Sequence, residues 1–527
     1  MRRLISISLW ALALLVGTCF TACTFHEDMD MSVCQEETEF YLKLNISFIN
    51  EDKVTRAATP IGDEDGDGRE NAHYHENDIN DLCFFIYNDG GKLFNAAAAS
   101  TPIKYKKYVD GLTFTGNDNY ETDPIPIKGY VPAAGDRVIV ITNVGDKTSA
   151  YNTLDDIRNA KITREESWTS ASNIADYTSF AMTSARDEVS TGKVDISYNG
   201  TQEHPFLGSV IIERVAARVD WVLPLISVGN PDLSDKGAKY TIDATGEGTE
   251  GTVYVQNIRM VNESQKPTYL IRRTSPTVNP LGTVTYMGLV DKDANNHPTS
   301  YVVEPLTTNK HTSAPEASTL TSWFGESSFA SSKSATFCDG TDYSVWNNAN
   351  GKTFTVETSK TCYTIGYAME NTMDVSLQTN DVRTGVELKC VFVPEKVYST
   401  GETYTPGTYS TTTTYYYLED LDDRTKSRFF DTSAHRDDYK TAHPGHYKEH
   451  TYTNGYCYYY IWLKYAGCES VAEEGTYGME YAIVRNNIYR IEIDKVLSVG
   501  TPTPDPKAIE RIRVRQWNKR THAEILL

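Results

Sequence analysis

One ten-residue segment constrains the fold more than any other part of the chain. From Glu39 to Phe48, apolar and polar residues alternate without a break. Successive side chains of a β-strand point to opposite faces, so this alternation predicts a strand with one fully apolar face. The apolar residues are Phe40, Leu42, Leu44, Ile46 and Phe48. Since such a face is stable only out of water, we expect the segment to be buried in a β-sheet core.

A lone arginine follows this strand. In Val54-Thr55-Arg56-Ala57-Ala58, small residues come directly after Arg56, which makes the Arg56–Ala57 bond a candidate site for an arginine-specific protease. Cleavage there would free the strand and leave an apolar groove open. The alternative is a plain N-terminal strand in a chain that is never cut.

The N-terminus has the features of an export signal. Two arginines precede an apolar stretch from Leu4 to Val16, which is too short for a stable membrane span. The following Phe20-Thr21-Ala22-Cys23 resembles the lipobox of bacterial lipoproteins, so we expect residues 1–22 to be removed and Cys23 to be acylated. Cys19 is the second choice for acylation, and an ordinary secretory signal is the alternative.

Composition indicates a β-rich protein outside the cytoplasm. After Arg56 there are 471 residues (527 − 56), enough for two or three domains. The net charge of −21 argues against nucleic acid or an anionic surface as a partner. The 35 tyrosines and the frequent β-branched residues favour strands. The best short helix candidate runs from Tyr151 to Thr163.

The cysteines leave two possibilities open. Apart from Cys19, Cys23 and Cys34, the chain has Cys83, Cys338, Cys362, Cys390, Cys457 and Cys468. An oxidising compartment permits disulfides, but six cysteines allow fifteen pairings. Buried free thiols are the alternative. The absence of CxxC spacing argues against a zinc site.

Two polar segments are weak candidates for metal sites. Asp63, Asp65 and Asp67 begin like a calcium loop, but Tyr74 stands where the bidentate glutamate belongs. A flexible acidic segment that keeps Arg56 accessible is the favoured interpretation. The second segment contains His435, His443, His446 and His450. Because Pro444-Gly445 interrupts any helix there, we expect a solvated loop rather than a metal site.

The sequence has no motif typical of catalysis or of cofactor binding. A phosphate loop, a nucleophile elbow, H-E-x-x-H and a glycine-rich cofactor fingerprint are all absent. We therefore expect no cofactor and no enzymatic activity. A carboxylate pair for glycoside hydrolysis is the open alternative, since carboxylates are plentiful. The run from Thr411 to Tyr417 is interpreted as an exposed strand rather than a binding platform.

Five segments, in this order, resemble a known family. They are Glu76–Gly91, Gly135–Asn143, Phe180–Ser184, Val210–Trp221 and Gly478–Ile493. Together with the Arg56 site, they resemble the motifs E-N-x-I-x-x-L-x-x-F-I-Y, V-x-V-I-x-N, F-x-M, R-x-x-A-R-V and V-R-N-x-x-Y-x-I-x-I of the fimbrillins of Bacteroidia-type (type V) pili. Within that family the layout most resembles the minor-fimbrium shaft pilin. Residues 225–450 add little to the resemblance.

The resemblance implies an all-β fold of two β-sandwich domains, transthyretin-like or Greek-key, with few short helices. It implies a removable propeptide at 23–56, an N-terminal domain at 57–212 and a C-terminal domain at 213–527. The first strand would leave with the propeptide, and the tail of a neighbouring subunit, about residues 505–527, would replace it. We expect the groove to include the strands around Phe84 and Val140.

The tail has two short apolar alternations after the Pro-rich spacer Gly500–Pro506. The donor residues would be Ile512, Val514, Trp517, Ala523, Ile525 and Leu527. Gln516, Asn518 and Lys519 interrupt the apolar face, so the donor register stays open. The spacer is expected to hold the tail away from its own domain.

The function that the resemblance implies is that of a structural pilin subunit in a cell-surface fimbria, which supports adhesion. Its lipoprotein precursor would be attached to the outer membrane. Expected partners are other copies of the chain, anchor and tip subunits and an arginine-specific protease, with no nucleic acid. The first alternative is an anchor or tip subunit. The second is a surface glycan-binding lipoprotein or hydrolase.

Overall fold

The structure is a computed structural model. It describes residues 39–48, 76–112, 114–115, 120–171, 177–224, 238–242, 251–278, 283–295, 297–307, 322–325, 330–331, 345–347, 353–355, 360–465, 468, 475–504 and 512–518.

Strands dominate these residues, which confirms the predicted all-β fold. The first eleven are β1 Glu39–Phe48, β2 Asp81–Tyr87, β3 Ile103–Asp110, β4 Phe114–Thr115, β5 Tyr120–Thr122, β6 Ile125–Lys128, β7 Arg137–Thr142, β8 Lys161–Ile162, β9 Met182–Ser184, β10 Val194–Asp195 and β11 Phe206–Arg214. The next eleven are β12 Ala217–Pro224, β13 Ala238–Thr241, β14 Gly251–Val261, β15 Glu263–Ser264, β16 Thr268–Tyr269, β17 Arg273–Ser275, β18 Thr285–Tyr286, β19 Tyr301–Val302, β20 Phe324–Gly325, β21 Ala330–Ser331 and β22 Val345–Asn347. The last eleven are β23 Thr353–Thr355, β24 Lys360–Ala368, β25 Gly385–Pro394, β26 Val397–Thr400, β27 Thr403–Thr405, β28 Tyr415–Asp420, β29 Arg428–Phe430, β30 Tyr447–Tyr452, β31 Tyr456–Trp462, β32 Ile488–Val496 and β33 Ile512–Asn518.

Helices are few and short in the described part of the chain. The α-helices are α1 Leu154–Asn159, α2 Arg164–Ser167 and α3 Ser433–Ala442, and the 3₁₀ turns are Val375–Leu377, Arg424–Lys426 and Thr453–Gly455. The helix predicted from Tyr151 to Thr163 is shorter than expected. It begins after Thr153, which forms a capping box with Asp156. It ends before β8, because Ile162 pairs with Thr268 of β16.

The first large sheet contains β1 in its interior. Its strand order is β3-β2-β7-β9-β11-β1-β5-β4, with β10 beside β11 and β6 beside β1. Strand β2 is buried on both faces. Leu82, Phe84 and Ile86 join one apolar core. Cys83, Phe85 and Tyr87 join another. The near-continuous apolar run of β2 follows from this double burial.

A β-sandwich forms the second half of the described chain. One sheet has the order β24-β12-β32-β33 and the other the order β13-β14-β25-β31. Both contribute to one apolar core, for example through Trp221 of β12 and Phe392 of β25. Since the two sheets share this core, their inner faces pack against each other.

The segment Val210–Trp221, which the motif presents as one continuous run, is not a single strand. Strand β11 ends at Arg214 in the first sheet, and β12 begins at Ala217 in the sandwich. The change of sheet occurs at Val215 and Ala216, and both of these residues are buried.

A small module is inserted between β25 and β31. It consists of the sheet β27-β26-β29-β28-β30 and helix α3. The expectation of an exposed strand from Thr411 to Tyr417 is wrong on two counts. The strand begins at Tyr415, and Tyr415 and Tyr417 are buried against the module and its neighbours.

Candidate functional site

Strand β1 lies between β11 and β5. It runs parallel to β11, with Leu42 opposite Phe206. It runs antiparallel to β5, with Asn45 opposite Glu121. Removal of β1 would interrupt the sheet in its interior and expose the hydrogen-bonding edges of two strands.

The apolar face of β1 is buried in the core. Leu42, Leu44 and Ile46 have no exposed surface. They pack in the same cluster as Phe84 and Val140, although neither β2 nor β7 pairs with β1. The half-buried Phe40 ring lies 6.1 Å from the Phe206 ring, centroid to centroid. Phe48 belongs to β1, but its side chain lies outside the described residues.

A glycine on β11 makes room for this face. Gly208 lies opposite Leu44. A Cβ atom at Gly208 would lie 2.9 Å from Cδ2 of Leu44 and 3.2 Å from Cγ1 of Val138. Any larger residue would therefore push Leu44 out of its position. No sequence pattern pointed to Gly208 as a groove residue.

Polar contacts fix the register of β1. The backbone N–H of Leu44 donates to Oγ1 of Thr122 at 3.0 Å. Nζ of Lys43 lies 2.7 Å from Oε2 of Glu121. This ion pair is partly exposed and contributes little, whereas three fully buried apolar side chains at about 1.5–3 kcal/mol each give a gross term of roughly 5–9 kcal/mol. The apolar face thus dominates the affinity of the sheet for this strand.

The residues of the expected processing steps lie outside the described residues. They are Cys23, Arg56 and Ala57, together with the weak calcium candidates Asp63, Asp65 and Asp67. Acylation, cleavage and calcium binding stay predictions.

The first part of the expected donor tail lies in the chain's own sandwich. Strand β33 pairs antiparallel with β32, with Val514 opposite Ile493 and Trp517 opposite Arg490. It stands at the end of the described strand order of its sheet. Ile512 is also in this strand, whereas Ala523, Ile525 and Leu527 lie outside the described residues. The donor role stays a prediction.

The start of the Pro-rich spacer is attached to the sandwich. Thr501 and Tyr458 exchange two backbone hydrogen bonds, at 2.9 and 3.0 Å. The hydroxyl of Tyr452 donates to the Gly500 carbonyl at 2.9 Å. This differs from the expectation that the spacer holds the tail away from its own domain. The reason is that Thr501 precedes the first proline of the spacer, so its N–H group is available to pair with Tyr458, and residues 512–518 likewise contain no proline and pair with β32.

The sequence motifs meet at the junction between the first sheet and the sandwich. The carboxylate of Glu76, which opens the first motif, accepts hydrogen bonds from Arg214 at 3.1 Å and from Arg218 at 3.0 Å. Both arginines come from the R-x-x-A-R-V motif. Arg218 also contacts Asp220 at 3.1 Å. Glu76, Arg218 and Asp220 are buried.

A tyrosine from the sandwich completes this charged cluster. The hydroxyl of Tyr367 in β24 donates to Glu76 at 2.7 Å. Burial, and the neighbouring Glu76 carboxylate, raise the pKa of Tyr367 well above its usual value, so its hydroxyl stays protonated. The Tyr367 ring also packs on Phe180 of the F-x-M motif, with 4.6 Å between the centroids.

Asn143, at the end of the second motif, links the backbone of residues 78–80 to that of Phe180. Its side-chain amide donates to the carbonyls of Asp78 at 2.7 Å and Phe180 at 2.8 Å, and its side-chain oxygen accepts from the N–H of Asn80 at 2.8 Å. Its φ of 58° lies in the left-handed region, which asparagine tolerates better than most residues. The side-chain hydrogen bonds and the left-handed backbone conformation both explain why the motif ends in asparagine.

The C-terminal motif reaches the same junction. Arg485 binds Glu370 through two hydrogen bonds of 2.8 Å, and both side chains are buried. The carbonyl of Asn487 accepts from the N–H of Arg218 at 2.9 Å. Another fully buried ion pair joins Arg272 and Glu213 at 3.3 Å. The motifs that carry the family resemblance therefore hold the two halves in register.

Removal of the Glu76 charge should destabilise the whole chain. Glu76→Gln leaves the buried Arg218 with fewer counter-charges, and loss of one partner of a buried pair costs about 3–5 kcal/mol. We expect the melting temperature to fall by roughly 3–5 °C, measured by calorimetry. The control is Glu188→Gln, which breaks the exposed 3.3 Å pair with Arg186 and should have almost no effect. Equal melting of the two variants would contradict a structural role for the cluster.

The histidine-rich segment is a solvated loop only in part: His443 and His446 are exposed between α3 and β30, as expected, but the other two histidines lie in regular elements. His435 lies on α3 and His450 on β30, because Thr432 caps the helix and β30 pairs with β28. Each has a carboxylate partner, Asp431 at 2.6 Å and Glu419 at 2.9 Å. Across the described ranges, no group of three or more acidic, histidine or cysteine side chains is arranged to hold a metal ion. No helix in this part of the chain is long and apolar enough to span a membrane.

The C-terminal part of the chain matches a known family. The model of the type IV major fimbrial subunit protein, fimbrillin C-terminal, matches residues 450–523. This range includes β31, β32 and β33. A comparison with curated proteins gives no match.

Several solved structures are similar to the chain at low sequence identity. A candidate cell adhesion protein from Parabacteroides distasonis is 14% identical, covers 91% of this chain and 96% of its own, and has a TM-score of 0.38. The fimbrillin of Porphyromonas gingivalis W83 is 12% identical, with 91% and 97% coverage and a TM-score of 0.35. The P. gingivalis tip fimbrial protein Mfa3 is 11% identical, with 91% and 99% coverage and a TM-score of 0.32.

These structural scores are too low to support a conclusion by themselves, so the identification depends on the family model. The match of its C-terminal segment to the fimbrillin model confirms that the chain resembles the fimbrillins.

Proposed function

We propose that this chain is a non-enzymatic structural subunit of a cell-surface fimbria that supports adhesion. The fimbrillin match at residues 450–523 supports a fimbrial role. The observation that carries the assembly mechanism is the interior position of β1 and the complete burial of Leu42, Leu44 and Ile46. Within the family, we retain the minor-fimbrium shaft pilin as the member that the chain most resembles.

The precursor is a lipoprotein that cannot yet assemble. It is acylated at Cys23 and held at the outer membrane, and its own β1 fills the first sheet. An arginine-specific protease cuts after Arg56, and β1 leaves with the propeptide. The mature subunit then has an N-terminal domain of residues 57–212 and a C-terminal domain of residues 213–527. The change of sheet between β11 and β12 supports a boundary near this point.

A neighbouring subunit then supplies the missing strand. A strand in the place of β1 would gain backbone pairing on both sides and the burial of its apolar face. The donor is the tail at about residues 505–527. Strand β33, at the end of its sheet's strand order, would have to give up its pairing with β32. Such head-to-tail contacts do not close and therefore produce open filaments.

The partners follow from this mechanism. They are other copies of the chain, anchor and tip subunits of the fimbria and the protease. An anchor subunit would differ from a shaft subunit because it would keep both β1 and the lipid at Cys23. The N-terminus of the surface form therefore distinguishes a shaft subunit from an anchor.

The surface form should begin at Ala57. Arg56→Ala should leave a lipidated precursor that forms no filaments, because β1 stays in its sheet. N-terminal sequencing of protein sheared from cells, with electron microscopy of the cell surface, measures both effects. Lys53→Ala, which removes the basic residue three positions earlier, is the control and should be processed normally. Normal filaments from the Arg56→Ala variant would rule out this activation step.

A further inference from the structure

Two cysteines face each other across the sandwich sheet. Cys390 lies in β25 and Cys457 in β31, and they are direct partners in the antiparallel register. They are 1% and 0% exposed. Their side chains are hydrogen-bonded to each other, so the two sulfur atoms are neighbours. Both are thiols in this structure.

We propose that Cys390 and Cys457 form a disulfide when the chain folds in an oxidising compartment. Opposite residues of an antiparallel pair have Cα atoms about 4.5–5.5 Å apart. A disulfide accepts Cα separations of about 4.4–6.8 Å, so the register places the two cysteines within reach of this bond. The occurrence of the bond in the cell rests on the proposed export of the chain.

The reaction is a thiol–disulfide exchange. One S–S bond forms, and two S–H bonds break. The two electrons and two protons pass to the disulfide of an envelope thiol–disulfide oxidoreductase, which leaves as a dithiol. The attacking group is a thiolate, and burial raises the pKa of the Cys390 thiol well above its usual value. Cys390 in the folded chain therefore offers little thiolate, and burial closes both cysteines off from the oxidoreductase, so oxidation takes place during folding, before β25 and β31 are buried.

The crosslink closes the base of the inserted module. Between the two cysteines lie 66 residues (456 − 391 + 1), including strands β26–β30 and helix α3. With the bond formed, opening of this module does not separate β25 from β31. A loop of this length also restricts the unfolded chain strongly, so the disulfide stabilises the sandwich.

A third buried cysteine provides an internal control. Cys83 lies in β2, opposite Tyr108 on one side and Ile141 on the other, so no cysteine faces it in the register. Its thiol donates to the Gly145 carbonyl at 3.3 Å. Cys83 is as buried as the proposed pair but should stay a thiol.

The test is refolding of the full chain in a glutathione redox buffer, followed by alkylation in denaturant, digestion and mass spectrometry. We expect a peptide crosslinked between Cys390 and Cys457 in most molecules, with Cys83 alkylated before any reductant is added. Alkylation of both cysteines without reductant, or a crosslink of either to another cysteine, would overturn the proposal. This result does not depend on export. The same digestion of protein from the cell envelope tests export separately.

A second measurement uses the melting temperature. Chains refolded with and without the oxidant should differ by on the order of 5–10 °C for the wild type and for Cys83→Ser. They should not differ for Cys457→Ala. An equal difference in all three chains would show that another bond is responsible.

Discussion

Leu44→Asp is expected to lower the melting temperature of the uncleaved chain by roughly 10 °C or more. Leu44 has no exposed surface, and its backbone N–H is already bound to Thr122. The new carboxylate would face Gly208 and Val138, which offer it no hydrogen bond from a side chain. An unpaired buried charge of this kind costs at least about 3–5 kcal/mol, and each kcal/mol shifts the melting temperature by a few degrees.

The effect should depend on pH in a defined direction. Burial raises the pKa of an aspartate in the folded chain above its unfolded value of about 3.9. The folded state then holds its proton longer, so the stability deficit grows as the pH rises above about 4 and shrinks as the pH falls towards it. Calorimetry of the variant and the wild type at pH 4.5 and pH 7 measures this difference.

The matched control is Ser47→Asp, which introduces the same charge three residues later on the opposite face of β1. Ser47 is only partly buried, and its hydroxyl makes one long contact of 3.5 Å with the Val210 carbonyl. We expect a change of no more than about 2 °C. Unchanged melting of Leu44→Asp, or an equal loss in both variants, would show that the apolar face of β1 does not stabilise the precursor.

Alternation made β1 predictable from the sequence, because a period of two over ten residues has no other common explanation. The all-β class was predictable for a similar reason, from composition and from several short apolar runs. The division of Val210–Trp221 into two strands was not. Both parts of that segment have the composition of a strand, and the change of sheet depends on which distant strands each part meets. A local pattern does not contain that information.

The junction was the part of the molecule that the sequence concealed. Tyr367 and Glu76 are 291 residues apart in the chain, yet their side chains are hydrogen-bonded. Tyr367 and Glu370 lie in the stretch that added little to the family resemblance, so their roles had no sequence signal. Glu76, Arg218 and Asn143 stand out in the sequence only as members of motifs. Their contacts show that these motifs report the register between the two halves. The two strands of the proposed assembly mechanism, β1 and β33, lie outside all five motifs.

Deletion of Lys507–Leu527 is expected to abolish filament growth while the first sheet stays folded. The described strands of that sheet make no pairing with β33, so loss of the tail leaves β1 and its neighbours intact. The truncated subunit would have nothing to donate. Electron microscopy of surface filaments and gel ladders of sheared protein measure growth, and calorimetry of the uncleaved chain measures the fold.

Two further variants define which part of the tail is donated. Deletion of residues 519–527 keeps β33 but removes Ala523, Ile525 and Leu527, so it separates the two apolar alternations. Cysteines at Ser209, which is exposed and lies opposite Asn45 of β1, and at Arg513 in the tail should crosslink between subunits in filaments. The strand that replaces β1 must pass Ser209, because Ser209 lies within the part of β11 that pairs with β1. Filaments of normal length from the chain that lacks residues 507–527, or crosslinks found only within one subunit, would exclude the tail as the donor.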